Sequence, residues 1–270
     1  RNTAAICQVV RCFEDENIIH VEGNVNPIRD IETINAELIL ADLDVVEKNL
    51  AKYSKIAKSG NKEAKELTAV LEKIKPHLEE FKFIKTLELT EPEMDLIKQY
   101  QFITLKPFVF AANVAEEDLA TGNEYVEMVK KYAAEHGAEV VIVSAKVESE
   151  LSELDEEEKL AFLKELGVEE SGLNRLIRVG YKLLGLITYF TAGVQEVRAW
   201  TIKSGTNAQK SAGEIHTDIE KGFIRAEVVS FDEFIKNNGW NGSKDKGVMR
   251  LEGKDYIVKD GDVMYFRFNV

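Results

Sequence analysis

Two apolar runs, Phe108-Val109-Phe110-Ala111-Ala112 and Val140-Val141-Ile142-Val143, set the narrowest limits on what this chain can fold into. The first follows Leu105-Lys106-Pro107 and ends in Asn113-Val114-Ala115-Glu116; the second follows Ala138-Glu139 and ends in Ser144-Ala145-Lys146. Short continuous apolar runs bounded by turn residues are the pattern of buried strands. Between them Asn123 to His136 reads as a helix. The unit is therefore strand, helix, strand, with its two strands expected to be parallel. Ligands of such sheets sit at the carboxyl ends of the strands, so Asn113, Glu116 and Ser144-Ala145-Lys146 are expected at the rim of one crevice.

At 270 residues the chain can bury one large core or two to three smaller ones. A content of 44% hydrophobic and 31% charged residues with four prolines is that of a soluble globular protein. No apolar run approaches the ~20 residues of a membrane span, and no signal peptide is recognisable; the expected location is cytoplasmic. The chain opens on Arg1 without an initiator methionine, which implies a truncated or trimmed chain. Cys7 and Cys12 have no cysteine partners elsewhere and no nearby histidine pair, so they read as reduced strand residues, with no metal site expected. The net charge of −13 argues against indiscriminate binding of naked nucleic acid. From Ile187 onward twelve Lys/Arg balance twelve Asp/Glu, which marks the last third as a separate, neutral module, one that could tolerate a polyanion.

Taken in order, Ala4 to Phe13 reads as a strand and Ile18 to Pro27 as a loop rich in turn residues. His20 lies in that loop between apolar residues, where a lone histidine is structural more often than catalytic. From Asp30, placed to cap, apolar residues at Ile31, Ile34, Leu38, Ala41 and Val45 predict an amphipathic helix to about Lys58. After Ser59-Gly60-Asn61 a second helix is expected up to Pro76, antiparallel to the first because the link is so short. Thr90-Glu91-Pro92-Glu93 is a capping signal on the way back to the sheet. Lys48, Lys52, Lys55 and Lys58, continued by Lys62 and Lys65, line one face of the hairpin; with Glu47, Glu63 and Glu66 interleaved, that stripe reads either as a solvated face or as an RNA contact. Glu148 to Glu158 is expected to be a solvent-facing acidic helix, and Leu173 to Leu186 an apolar helix covering the sheet. From Thr188 the period becomes two. Strands are expected at 188–190, 196–202, 225–229, 255–258 and 263–268, with one helix over 208–221 that carries His216 as a structural residue. That order describes a β-grasp module.

Asn113-Val114-Ala115-Glu116 and Ser144-Ala145-Lys146 resemble the base-recognition elements of the P-loop GTPases. An asparagine amide offers a donor and an acceptor to a purine edge. Where those GTPases have Asn-Lys-x-Asp, this chain has Val114 in place of the lysine and Glu116 in place of the aspartate. The extra methylene displaces the carboxylate, which should weaken guanine selectivity and make adenine acceptable. Alternatively, Asn113 merely caps the acidic turn that follows it. Longer runs are more specific. Val10-Arg11-Cys12-Phe13-Glu14, Asn17-Ile18-Ile19-His20-Val21, Thr188-Tyr189-Phe190-Thr191-Ala192-Gly193, Val197-Arg198-Ala199-Trp200-Thr201, Ile215-His216-Thr217-Asp218-Ile219-Glu220-Lys221-Gly222-Phe223 and Asp255-Tyr256-Ile257-Val258-Lys259-Asp260-Gly261-Asp262 together closely resemble the Obg-like ATPase (YchF) family of translation-factor-class P-loop NTPases.

The resemblance implies an α/β fold. A GTPase-like domain would be formed by 1–29 and 97–186, an inserted helical coiled coil by 30–96, and a C-terminal TGS domain of β-grasp type by 187–270. It implies binding and hydrolysis of ATP, with GTP accepted, in association with the ribosome (large subunit or 70S). Asn113, Val114, Glu116, Ser144, Ala145 and Lys146 would be the base-binding residues and His20 the catalytic one. One departure is large. No Gly-x-x-x-x-Gly-Lys-Ser/Thr run, the phosphate cradle that also holds Mg2+ through its Ser/Thr, occurs in these residues. The family's phosphate loop would lie upstream of Arg1, Mg2+ would be held by residues not in this chain, and the 270 residues by themselves are expected to be inactive. The competing expectation is a non-enzymatic module in which the hairpin and the last third dock on RNA or protein.

Overall fold

A computed structural model of the chain describes residues 1–15, 17 and 23–269, in two compact units, Arg1–Gly180 and Tyr181–Val270. The first unit opens with strand β1 (Ile6–Arg11) and then leaves the sheet for a helical hairpin, α1 (Pro27–Lys58) and α2 (Lys62–Glu79). Helix α3 (Glu91–Ile97) leads back to strand β2 (Phe108–Asn113), and α4 (Glu124–Glu135) connects it to β3 (Glu139–Val143). Helices α5 (Ala145–Leu151), α6 (Glu156–Glu165) and α7 (Gly172–Leu183) complete the run, the last of them crossing the division between the units.

The three strands are parallel in the order β1-β2-β3, as the strand-helix-strand pattern requires. In β2 the residues from Phe108 to Ala112 are buried, which explains why the sequence shows a continuous apolar run there instead of an alternation. One face of the sheet carries Val10, Phe110 and Ala112 against Val126, Val129 and Ala133 of α4. Among the described residues β1 has a single strand neighbour, and its Cys7 and Val9 are exposed. Cys12 is buried, and that burial pushes its thiol up to about 12, far from the thiolate form that metal binding or disulfide exchange would need.

The hairpin packs Ile39 and Val46 of α1 against Leu67, Leu71, Ile74 and Leu78 of α2, each worth roughly 1.5–3 kcal/mol when buried. Three boundaries differ from those read in the sequence. Helix α1 starts at Pro27 and not at Asp30, because Asn26 caps it by accepting from the Arg29 N–H and proline is already set for the first helical position. Helix α2 runs through Pro76 to Glu79, since Leu78 continues the buried stripe and holds the turn that proline leaves one bond short. The acidic stretch is two helices, separated where Asp155 forms a capping box with Glu158.

Asp42 ties the hairpin to the sheet. It is fully buried on α1, and its carboxylate accepts from the Ile103 N–H (3.1 Å), from the Thr104 N–H (2.8 Å) and from the Thr104 hydroxyl (2.9 Å), in the turn that delivers the chain into β2. Arg1 adds an ion pair at 2.6 Å.

In the second unit β4 (Leu186–Ala192) and β5 (Val197–Lys203) form a hairpin, followed by α8 (Ala208–Ile215), α9 (Thr217–Lys221) and β6 (Phe223–Ser230). Then come α10 (Phe231–Lys236), α11 (Trp240–Asp245), β7 (Arg250–Glu252) and β8 (Asp262–Phe268). The sheet order is β5-β4-β8-β6-β7, with β4 and β8 parallel and the other pairs antiparallel. Tyr189, Ala208, Ala212, Val228 and Met264 are at its centre. The expected single helix over 208–221 is broken at His216, whose Nδ1 accepts from the Asp218 N–H and so caps α9. The expected strand at 255–258 is a loop joined to Asn207 by one isolated bridge at Ile257. Buried Asp262 accounts for this. Its carboxylate accepts from the Tyr256 hydroxyl (2.8 Å) and the Lys259 N–H (2.9 Å), folding the segment over the Gly261 turn.

Replacing Asp42 by Ala leaves two amide groups and a hydroxyl unpaired in the interior and should lower stability by about 3 kcal/mol, whereas Asp42→Asn should cost roughly half of that. Urea unfolding followed by circular dichroism measures both. A loss under about 1 kcal/mol for the alanine variant would show that this carboxylate does not hold the hairpin.

Candidate functional site

The carboxyl ends of β2 and β3 meet at one place. Parallel register sets Asn113 beside Val143, and the Val114 N–H donates to the Val143 carbonyl at 2.9 Å, carrying the pairing one step beyond the strand. With the backbones locked together, the Asn113 side chain reaches across to α5, where its Oδ1 accepts from the Ala145 N–H at 2.9 Å. That amide is one of the donors a helix start cannot satisfy internally, and Ser144, which precedes it, makes no side-chain cap. Asn113 therefore braces the start of the neighbouring helix. It does not cap its own acidic turn at Glu116–Asp118, which has no side-chain cap. With Oδ1 engaged, the donor end of the amide has no partner among the described residues.

A second link joins the two tips. Lys146 donates to Glu116 Oε2 at 3.2 Å, and this hydrogen bond and the carboxylate's charge hold the lysine amine above its ordinary range. Both side chains reach solvent, so the pair contributes little to stability. Its consequence is directional, because the carboxylate faces Lys146. Val114 and Ser144 differ from their neighbours. Their side chains are buried, so Val114 can offer a ligand only its backbone, and the Ser144 hydroxyl has no hydrogen-bond partner. Asn113, Val114, Glu116, Ser144, Ala145 and Lys146 thus form one contiguous rim, while His20 lies outside the described residues.

Three contributors were not read from the sequence. Arg11 stands in register with Asn113 at the end of β1, with its guanidinium 4.9 Å from the Phe13 ring. Asn123 caps α4 through Oδ1 and donates Nδ2 to the Cys12 carbonyl (2.8 Å) and to Asp118 (2.6 Å), joining the ends of β1 and β2. Its cap position was the available signal. Glu148 belongs to the stretch expected to face solvent, yet its carboxylate accepts from the Gly172 N–H at 2.7 Å. Gly172 in turn lies so close to β3 that a Cβ there would stand 2.9 Å from the Val143 Cα. Beyond that contact α7 leaves Leu173 and Ile177 exposed, which corrects the expectation of an apolar helix covering the sheet. Among the described residues no three His, Cys, Asp or Glu side chains converge as a metal ligand set.

Comparison with known proteins decides the family. The chain is 57% identical over 270 residues to the ribosome-binding ATPase YchF of Haemophilus influenzae, covering 100% of this chain and 74% of that protein. It belongs to the YchF family. The YchF of Bacillus subtilis, also named a ribosome-binding ATPase, is 53% identical over 272 residues with the same coverage. The solved YchF GTPase of Schizosaccharomyces pombe superposes with a TM-score of 0.82 at 36% identity, covering 98% of this chain and 72% of that one. Residues 186–269 match the YchF GTPase C-terminal family, described as a protein of unknown function (DUF933). The α/β fold is thus that of YchF proteins, and the second unit coincides with their C-terminal family to within a few residues.

Asn113→Ala should free the Ala145 amide and cost about 1 kcal/mol. Its specific mark should be faster amide hydrogen exchange at Ala145 and Lys146 with the core of β2 unchanged. Exchange at wild-type rates would mean that another group braces this helix start.

Proposed function

We propose that this chain carries the base-binding part of a ribosome-associated NTPase that binds and hydrolyses ATP and also accepts GTP. The observation that carries the reading is the joining of the two strand tips by Asn113 to Ala145 and Glu116 to Lys146. In this reading the Asn113 amide donates to a ring nitrogen of the purine, the Val114 backbone edges the base, and Ser144-Ala145-Lys146 closes behind it. Guanine is selected when a carboxylate faces its two N–H groups. Here the Glu116 carboxylate is turned toward Lys146, which favours a base that asks nothing of it. Adenine is such a base.

The remaining assignments follow from family membership. His20 is proposed to position the attacking water, and Mg2+ is expected from residues other than these, so no step is assigned to it. The proposed division is an NTPase domain from 1–29 and 97–186, an inserted coiled coil at 30–96 and a TGS domain at 187–270. Ribosome association would place the protein in the cytoplasm, and among the described residues no helix is long and apolar enough to cross a membrane. The lysine face of α1 is a second point of contact for RNA, although Lys48 already pairs with Asp44 at 2.5 Å. These 270 residues contain no phosphate loop of the Walker type, and by themselves they are proposed to release phosphate negligibly.

Two measurements test the proposal. Val114→Lys combined with Glu116→Asp, in a chain extended to include a phosphate loop, should shift relative affinity toward GTP by about tenfold or more, the scale of one bidentate base contact. An unchanged ATP-to-GTP ratio would remove the base-pocket argument. Phosphate release by the 270-residue chain should be at background while the extended chain turns over, and His20→Ala in the latter should lower kcat by about 100-fold, within the range of general acid–base groups. Family-like turnover by the 270 residues alone would sink the division of labour.

A further inference from the structure

Lys146 is held at the rim by a bond that is not its own. It follows Ala145, whose N–H donates to Asn113 Oδ1, so the first turn of α5 is pinned to the end of β2. From there the lysine amine meets two carboxylates at once. Glu116 Oε2 lies 3.2 Å away across the gap between the strand tips, and Glu150 Oε1 lies 4.0 Å away one turn along the same helix. The hydrogen bond to Glu116, then that carboxylate's charge and those of Glu150 and Glu117, hold the amine above its ordinary range. Among the described residues Glu116 has no other cation within ion-pair distance. One cation is thus divided between an acceptor on the base rim and an acceptor on its own helix.

The two purines respond to that division with opposite signs. At the edge that Glu116 would face, guanine presents two donors, its N1–H and its 2-amino group, whereas adenine presents N1 as an acceptor. A free carboxylate attracts the first edge and repels the lone pair of the second. A carboxylate neutralised by an ammonium does less of both, so pairing lowers affinity for guanine and raises it for adenine without any contact between lysine and base. Both side chains reach solvent, which confines the effect to the few-fold range of an exposed pair.

We infer that Lys146 sets the base preference of this site by holding the Glu116 carboxylate away from the purine, while Glu150 competes for the same amine and weakens that hold. On the base reading given for Asn113 and Glu116, on which this rests, Lys146 is a positioning residue that acts through Glu116 and not a wall of the pocket. A wall residue would lose both bases alike when its stem is removed and would tolerate methionine. A positioning residue changes the ratio between the bases with either alanine or methionine in its place.

Binding of ADP and GDP to the chain extended to include a phosphate loop tests this, because both ligands carry the same diphosphate and the ratio of their affinities isolates the base. Lys146→Met and Lys146→Ala should each shift that ratio toward GDP by about three- to fivefold, the upper range of one exposed ion pair. Glu150→Gln leaves the amine to Glu116 and should move the ratio toward ADP. In a Glu116→Gln background Lys146→Met should have no further effect, which closes a double-mutant cycle on the pair. Raising NaCl from about 0.05 M to about 0.5 M should carry the wild-type ratio toward GDP and leave that of Lys146→Met in place. A ratio within about 1.5-fold of wild type in both lysine variants, with Asn113→Ala weakening both nucleotides, would overturn the inference and leave the base reading standing. Wild-type affinity of Asn113→Ala for both nucleotides would overturn the base reading and the role of Lys146 with it.

Discussion

One side chain bonded to one backbone amide, Asn113 Oδ1 to Ala145 N–H, fixes the geometry of the carboxyl edge. It works only because β2 and β3 are parallel and in a register that puts Asn113 beside Val143. A slip of one residue would turn every side chain of β2 to the opposite face. Both faces of β2 are buried but filled differently, by Phe108, Phe110 and Ala112 on one and Val109 and Ala111 on the other, so a slip would exchange aromatic rings for small groups in two packed layers. Core packing therefore decides where a polar group at the rim stands.

The same strand is set at its beginning by a different device. Asp42, on a helix some sixty residues earlier in the chain, holds Ile103 and Thr104 and so aims the chain into β2. A buried carboxylate with three protein donors and an arginine is stable where an unpaired one would not be, and it couples the position of the hairpin to that of the central strand. The second unit has a core of its own, and Asp262 has a similar role there, folding the Tyr256–Gly261 segment around one buried carboxylate.

The strand-helix-strand unit was legible because its signals are local. A continuous apolar run can only be a buried strand or helix, and Asn123 and His136 bound the helix between. The antiparallel hairpin was legible because three residues leave no other option. What failed did so where a local rule met a distant partner. Pro76 reads as a stop, but Leu78 is still buried against the other helix. The alternation at 255–258 reads as a strand, but Asp262 draws that segment into a loop. Glu148 reads as a solvated acid, but the helix that begins at Gly172 brings it an amide to accept.

At the candidate site the residue types were visible in the sequence and their orientations were not. Composition and spacing named Asn113, Glu116 and Ser144-Ala145-Lys146 as the polar ends of two strands, because apolar periodicity is written in consecutive residues. That Val114 and Ser144 turn inward and that Glu116 faces Lys146 depended on contacts between segments about thirty positions apart. The sequence by itself determined which segments become strands and helices and which ends are polar. Only the tertiary structure decided what those ends face, because a side chain's direction follows from the packing of elements that no local pattern records.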